Sequence, residues 1–271
     1  RRGVDMSMSV SHLKAKRVVI TGGGSGVGAA AARLFAARGW NVAINYRSKA
    51  AEAEQVAGDC REQGVEALTL QGDVADDGHC RRMAAATAER FGRIDALVCS
   101  AGATQFTRLS DLDAQNAEDF QRVFAVNALG PYQMARAAAP WLTAGGRGAI
   151  VNISSVAAKN GNGTSLAYIA SKGALNSLTL ALARLLAPEV RVNAVLPGMI
   201  DTGWFDDALT EEALATIKGN FMKASALGVV STAEDIARGA VFLAVDATTT
   251  TGQLITIDAG YTLGRAVRIS N

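Results

Sequence analysis

The chain has 271 residues with 27 Lys+Arg against 25 Asp+Glu, and it is 49% hydrophobic and 19% charged. These figures exclude a disordered chain and fit one α/β domain large enough to bury a self-sufficient core. The net +2 sits at the ends: residues 1–17 carry +4 and Arg265 and Arg268 add two, leaving the body between them at −4. That distribution removes the electrostatic basis for nucleic-acid binding.

The longest uncharged run, residues 18–32, is 15 long and broken by glycine, so no membrane span is expected. Residues 1–10 read as a leader or tail ahead of a single domain. Three widely spaced cysteines, Cys60, Cys80 and Cys99, make neither a disulfide framework nor a metal motif. A reducing, cytoplasmic setting fits them. His79 beside Cys80 has no second pair to complete a metal site, and none is expected.

In chain order, short β-branched runs alternate with alanine-rich helical stretches. Strands are expected at 17–21, 41–45, 66–71, 96–99, 149–153, 191–196 and 254–257. Helices are expected at 26–37, 50–63, 77–91, 117–142, 167–186 and 233–245, with an additional helix at 211–223. This rhythm predicts a doubly wound, seven-stranded parallel sheet of Rossmann type in three layers. The 52 alanines and 28 glycines imply helices lying close to that sheet. The insertion before and around 211–223 predicts a cover, residues 199–225, over a ligand crevice.

The first strand runs into Thr21-Gly22-Gly23-Gly24-Ser25-Gly26-Val27-Gly28 and then a helix. Glycines between a strand and a helix let backbone N–H groups and a helix N-terminus approach a diphosphate. An acid ordinarily closes the second strand of such a site and holds the adenosine ribose diol. Here the tip reads Tyr46-Arg47-Ser48, and a guanidinium matches a phosphate rather than a neutral diol. NADP(H) is therefore the expected cofactor, with NAD(H) the alternative.

Downstream, Ser155 ends a strand, and Tyr168 and Lys172 stand four apart on one helix face. A phenol is a poor base at neutral pH, and a nearby ammonium is expected to lower its pKa. Ser155 can hold the oxygen that the phenol protonates.

Together these motifs resemble the short-chain dehydrogenase/reductase family, in its compact one-domain branch, over residues 14–261. The family's TGxxxGxG pattern falls on Thr21, Gly22, Gly26 and Gly28, and its Ser-(12 residues)-Tyr-xxx-Lys set on Ser155, Tyr168 and Lys172. The resemblance further implies Asn127 as the relay asparagine and Asp73, followed by Val74, as the adenine contact. It also implies Pro197, Gly198, Ile200 and Thr202 around the nicotinamide, and Ala101 and Gly102 beside the adenosine. Where the family usually has Asn-Asn-Ala-Gly, this chain has Cys99-Ser100-Ala101-Gly102; Ser100 is expected to supply local bonding instead.

The implied reaction is hydride transfer between NADP(H) and a small carbonyl or alcohol. In it Tyr168 is the general acid, Lys172 also binds the nicotinamide ribose, and Asn127 supports a water path. A homodimer or homotetramer through helices 117–142 and 167–186 is implied too. The chain resembles 3-oxoacyl-carrier-protein reductases and sugar dehydrogenases equally. Arg136 and Arg184 are candidates for a basic rim, and Trp204, Phe205, Phe221 and Met222 either line the pocket or seat the cover. The rival from another class is a catalytically silent nucleotide-binding scaffold. A Ser-His-Asp hydrolase is disfavoured because His12 and His79 are the only histidines and neither lies near a nucleophile motif.

Overall fold

Along the first strand, Arg17–Thr21 (β1), every residue is buried and side chains alternate between two cores. Val18 and Ile20 enter a cluster with Phe35 and Trp40, whereas Val19 enters another with Leu97, Met134 and Leu142. A strand apolar on both faces has to be covered on both, as in a buried parallel sheet.

The computed structural model describes residues 15–205 and 209–265, so the expected leader at 1–10 lies outside the described residues. The further strands are β2 (Asn41–Tyr46), β3 (Ala67–Gln71), β4 (Ala96–Cys99), β5 (Gly148–Ile153), β6 (Val190–Pro197), β7 (Ile200–Asp201), β8 (Ser231–Thr232) and β9 (Leu254–Ile257). Seven of them form one parallel sheet in the order β3-β2-β1-β4-β5-β6-β9, as expected. The short β7 and β8 pair apart from it.

The helices are α1 (Gly26–Ala36), α2 (Ala50–Glu62), α3 (Asp77–Phe91), α4 (Ala117–Phe124), α5 (Gly130–Ala144), α6 (Ala157–Asn160), α7 (Leu166–Leu185), α8 (Glu211–Ala224) and α9 (Ala233–Val241). α1, α2 and α9 share a core on one face of the sheet, and α3, α5 and α7 share the core on the other. The chain runs outward from β1 to β3, then returns to β4 beside β1. The reversal opens a crevice at the carboxyl ends of β1 and β4, where ligands of such sheets bind.

Two helices differ from expectation for one reason. The 117–142 helix is interrupted by a π-turn at Ala125–Leu129, and α9 passes into another at Phe242–Asp246. A π-turn accommodates one extra residue without breaking the apolar stripe, so periodicity reads straight through it. The first turn carries Asn127 fully buried into the crevice wall. Among the described residues no helix is long and apolar enough to cross a membrane.

Candidate active site

The glycine loop is built by close approach. Gly22 has φ +63°, and a Cβ there would lie 2.8 Å from Ala101 Cα; a Cβ on Gly28 would lie 2.3 Å from the Gly22 carbonyl oxygen. Asn45 locks the loop to β2 and β3: its Oδ1 accepts from Gly22 N at 3.3 Å, and its Nδ2 donates to the carbonyl of Gly72 at 2.9 Å. Ser25 caps α1 without a side-chain bond, and α1 has no acid in its first turn. α2, α3, α4, α8 and α9 carry acids there, whereas α5, α6 and α7, like α1, do not. The positive end of the α1 dipole is thus left for an outside anion. An open groove of about 770 Å³ is lined by Gly24, Ser25 and Gly26 together with Asp201, Thr202 and Gly203.

The turn after β4 is held differently from expectation. Thr21 Oγ1, at the end of β1, accepts from Ser100 N at 3.1 Å and from Ala101 N at 3.2 Å. A hydroxyl on the neighbouring strand thus anchors the turn where the family's asparagine is missing. At the β2 tip Tyr46 is half-buried, while Arg47 and Ser48 are exposed. Asp73 accepts from Ala75 N at 2.9 Å, and its own N–H donates to His79 Nδ1 at 3.3 Å. Val74 is buried, and its carbonyl accepts from Cys80 Sγ, so the His79-Cys80 pair serves this turn. Among the described residues no cluster could hold a metal ion.

The residues expected to be catalytic come together. Ser165 caps α7, accepting from Tyr168 N at 3.2 Å, and Tyr168 and Lys172 follow one turn apart. Ser155 lies close enough to the Tyr168 phenol to favour its ionised form, and Ser155 Oγ accepts from Ala157 N at 3.1 Å. Lys172 Nζ donates to the Ile153 carbonyl at 2.8 Å and lies 5.6 Å from the Tyr168 ring centre. Asn127 brackets Ala103, accepting from its N–H and donating to its carbonyl, both at 2.8 Å. Its Nδ2 also donates to Ser171 Oγ at 3.0 Å, and Ser171 donates to the Tyr168 carbonyl at 2.8 Å. Asn45 and Ser171 carry this scaffold, yet neither belongs to a catalytic residue class that sequence reading would single out.

The electrostatics correct one expectation. Burial pushes the Tyr168 phenol above its ordinary range, and nearby Ser155 only partly offsets this. Burial also pulls Lys172 down to about 8, opposed weakly by Cys99. Lys172 turns its ammonium to the Ile153 carbonyl, and the direction at Tyr168 follows burial first and Ser155 second.

The Lys172 shift has a sign that can be measured. Its folded value, about 8, lies below the ordinary 10.5, so folding disfavours the charged form. The resulting penalty is complete below pH 8 and disappears as pH rises to the unfolded value. Wild-type stability relative to Lys172→Met should therefore rise between pH 8 and 10.5, by about 3 kcal/mol at most. Urea unfolding at both ends of this window checks it; a constant difference between the two proteins counts against it.

The cover closes the crevice from above. Gly198 packs where a Cβ would lie 2.9 Å from both Asp258 Cβ and Phe221 Cζ, and its N–H donates to the Ile257 carbonyl at 3.1 Å. Pro197 accepts from Val156 N at 3.0 Å. Ile200 pairs with Ser231, and Thr202 Cγ2 lies 3.8 Å from where a Gly26 Cβ would be. Trp204 lies with its ring centre 6.5 Å from that of Tyr168, and its Cη2 is 3.4 Å from where a Gly102 Cβ would be. Phe205 packs on Phe106 at 5.6 Å, and Phe221 stacks on Tyr261 at 4.6 Å.

The four candidate cover residues therefore separate. Trp204 and Phe205 face the crevice region, Phe221 seats α8, and Met222 is 40% exposed. Residues 206–208 of the expected cover lie outside the described residues. Tyr261 and Asn162, whose Nδ2 donates to the Tyr261 hydroxyl at 3.1 Å, escaped the sequence reading because only the closed fold brings them together. Arg136 is paired with Asp77 and lies over Tyr132, so it is not a free basic rim; Arg184 is exposed.

Comparison with known proteins agrees with this fold. Residues 22–262 match the family model described as enoyl-(acyl carrier protein) reductase. An L-rhamnose 1-dehydrogenase (NAD(P)(+)) from Sphingomonas sp. (strain SKA58) is 35% identical over 92% of this chain and 96% of its own. A 3-oxoacyl-acyl-carrier-protein reductase from Staphylococcus aureus (strain Mu50) is 34% identical over 90% of this chain and 97% of its own. The solved structure of a short-chain type dehydrogenase/reductase from Mycobacterium ulcerans superposes with a TM-score of 0.83 at 29% identity, covering 92% of this chain and 90% of that one. The chain belongs to the short-chain dehydrogenase/reductase family of oxidoreductases.

Proposed function

We propose that this protein is an NADP(H)-dependent reductase of small carbonyl compounds, with Tyr168 as the proton donor. The observation that carries the reading is the Tyr168 phenol close to Ser155 with Lys172 one turn along the same helix, beside the sheet's switch point. The bound dinucleotide supplies a hydride to the carbonyl carbon. Ser155 holds and polarises the carbonyl oxygen. Tyr168, kept as a neutral phenol by burial, passes its proton to that oxygen as the alcohol forms. Lys172 lies within reach of both the phenol and a ribose, and Asn127 holds the wall at Ala103. Oxidation of an alcohol runs the same steps backward.

The cofactor fits the cradle. Gly22 and Gly28 leave space that a Cβ would fill, α1 has an uncompensated positive end, and Arg47 is exposed at the β2 tip. In this reading Gly24, Ser25, Gly26 and Val27 receive the diphosphate, Tyr46, Arg47 and Ser48 the 2′-phosphate end, and Asp73 and Val74 the adenine. Ala101 and Gly102 border the ribose, while Pro197, Gly198, Ile200 and Thr202 border the nicotinamide.

Arg47→Ala should weaken NADPH binding by about 10- to 100-fold, the value of a charge-assisted bond to phosphate. NADH binding should change by less than about twofold, since no phosphate contact is lost. Calorimetric titration with both cofactors checks this; equal loss for both refutes the 2′-phosphate role and leaves NAD(H). Reduction of any simple ketone with NADPH disposes of the silent-scaffold alternative. The three cysteines are free and buried, which suits a reducing, cytoplasmic setting. A homodimer or homotetramer would cover Tyr132, Trp141, Leu180 and Leu185, which stand exposed on α5 and α7. A light-scattering mass of one chain counts against that assembly.

A further inference from the structure

Six of the chain's 15 aromatic residues pair up as Phe106 with Phe205, Tyr168 with Trp204 and Phe221 with Tyr261. They come from separate segments: Phe106 after β4, Trp204 and Phe205 after β7, Phe221 on α8, Tyr261 after β9, and Tyr168 itself. Trp204 is the informative one. Its ring lies tilted at 55° to Tyr168 and against the bare backbone of Gly102, yet the residue is 40% exposed. A large indole held over the reacting phenol with part of its surface open is an unfilled apolar contact.

Several polar groups on the adjoining segments are already paired with each other. Thr104 and Thr164 share a hydroxyl–hydroxyl bond of 2.5 Å, and Asn162 donates to Tyr261. Charged groups on the adjoining segments are engaged as well: Arg122 by Asp119 and Gln105, Lys218 by Asp201, and Asp258 by Gly260 N and Thr262. A polyol entering here would have to break satisfied hydrogen bonds to gain its own, whereas a flat apolar group gains contact without breaking any.

Building on the reductase reading, we infer that the substrate is a ketone bearing a planar apolar ring beside its carbonyl, and that Trp204 determines this specificity. The ring lies against the indole, and the carbonyl oxygen then points to Tyr168 and Ser155. Trp204 acts on binding and placement and takes no part in proton transfer.

The test compares kcat/KM for NADPH reduction of acetophenone and of 2-butanone, with L-rhamnose and NADP as a polyol probe. Wild type should favour acetophenone over 2-butanone, and L-rhamnose should be the poorest of the three. Trp204→Ala should shrink the acetophenone/2-butanone ratio about tenfold, mainly through KM for acetophenone, and Trp204→Phe should restore most of it. A ratio unchanged in Trp204→Ala, or a wild-type preference for L-rhamnose, overturns the specificity while leaving the oxidoreductase reading intact. Binding of NADPH without turnover of any probe overturns the reductase reading and this inference with it.

Discussion

Replacing Tyr168 by phenylalanine should lower kcat by about 10²- to 10⁴-fold, the range that a positioned general acid contributes. The aromatic ring remains between Lys172 and Trp204, so the crevice keeps its shape. NADPH affinity should therefore stay within about threefold, because the substitution removes one hydroxyl and no charge. Ser155 keeps its bond from Ala157 N, so stability should change by no more than about 1 kcal/mol. Steady-state rates and fluorescence titration of NADPH on the same preparation separate the two effects. Retained turnover with the phenol gone would remove Tyr168 from the chemistry altogether. Loss of turnover and cofactor binding together would mean that the substitution had damaged the crevice, and the phenol's role would need Tyr168→Trp or a halogenated tyrosine to isolate it.

The second large effect lies in the glycine loop. Gly28→Ala puts a methyl 2.3 Å from the Gly22 carbonyl oxygen, 2.9 Å from its carbon and 3.0 Å from Gly23 Cα. All three are backbone atoms, so no side chain can rotate away and the loop itself must shift. The expected cost is about 3 kcal/mol of stability, the upper range for overpacking. The expected loss of NADPH affinity is at least about 100-fold, since the amides of the loop lose their aim. Gly58→Ala is the matched control: it lies within α2, and nothing comes within 4 Å of its added methyl. That substitution should stabilise by roughly 0.5–1 kcal/mol through helix propensity and leave cofactor binding alone. Thermal unfolding and titration on both variants distinguish a steric cause from a general intolerance of alanine.

The strands were legible because each is a short apolar run with a glycine or a charge at one end or the other, and a parallel sheet demands such runs. The expected 41–45 strand ends at Tyr46, and the expected 66–71 strand starts at Ala67. The π-turn at Ala125–Leu129 was not legible, because it preserves the apolar stripe on either side while inserting one residue. Two-residue strands such as β7 and β8 have no pattern to read.

Within the site, Tyr168 and Lys172 could be placed together because a helix has a fixed period and both lie on it. Their mutual electrostatics could not, since the sign depends on burial and on Lys172 turning to the Ile153 carbonyl. Trp204 over Gly102 and Tyr261 on Asn162 depend on how a long connection and the chain's end fold back, and local pattern says nothing of that.

Thr21 joins strands that the chain visits far apart: its hydroxyl takes the amide hydrogens of Ser100 and Ala101, and Gly22 lies against Ala101. Exchange of those two amides requires the Thr21 hydroxyl to let go, by rotation of its side chain or by parting of the tips of β1 and β4. Exchange at Ser100 and Ala101 is thus a clock for the release of the Thr21 anchor. If the glycine loop receives a diphosphate, as proposed, adding NADPH should slow exchange at these two amides.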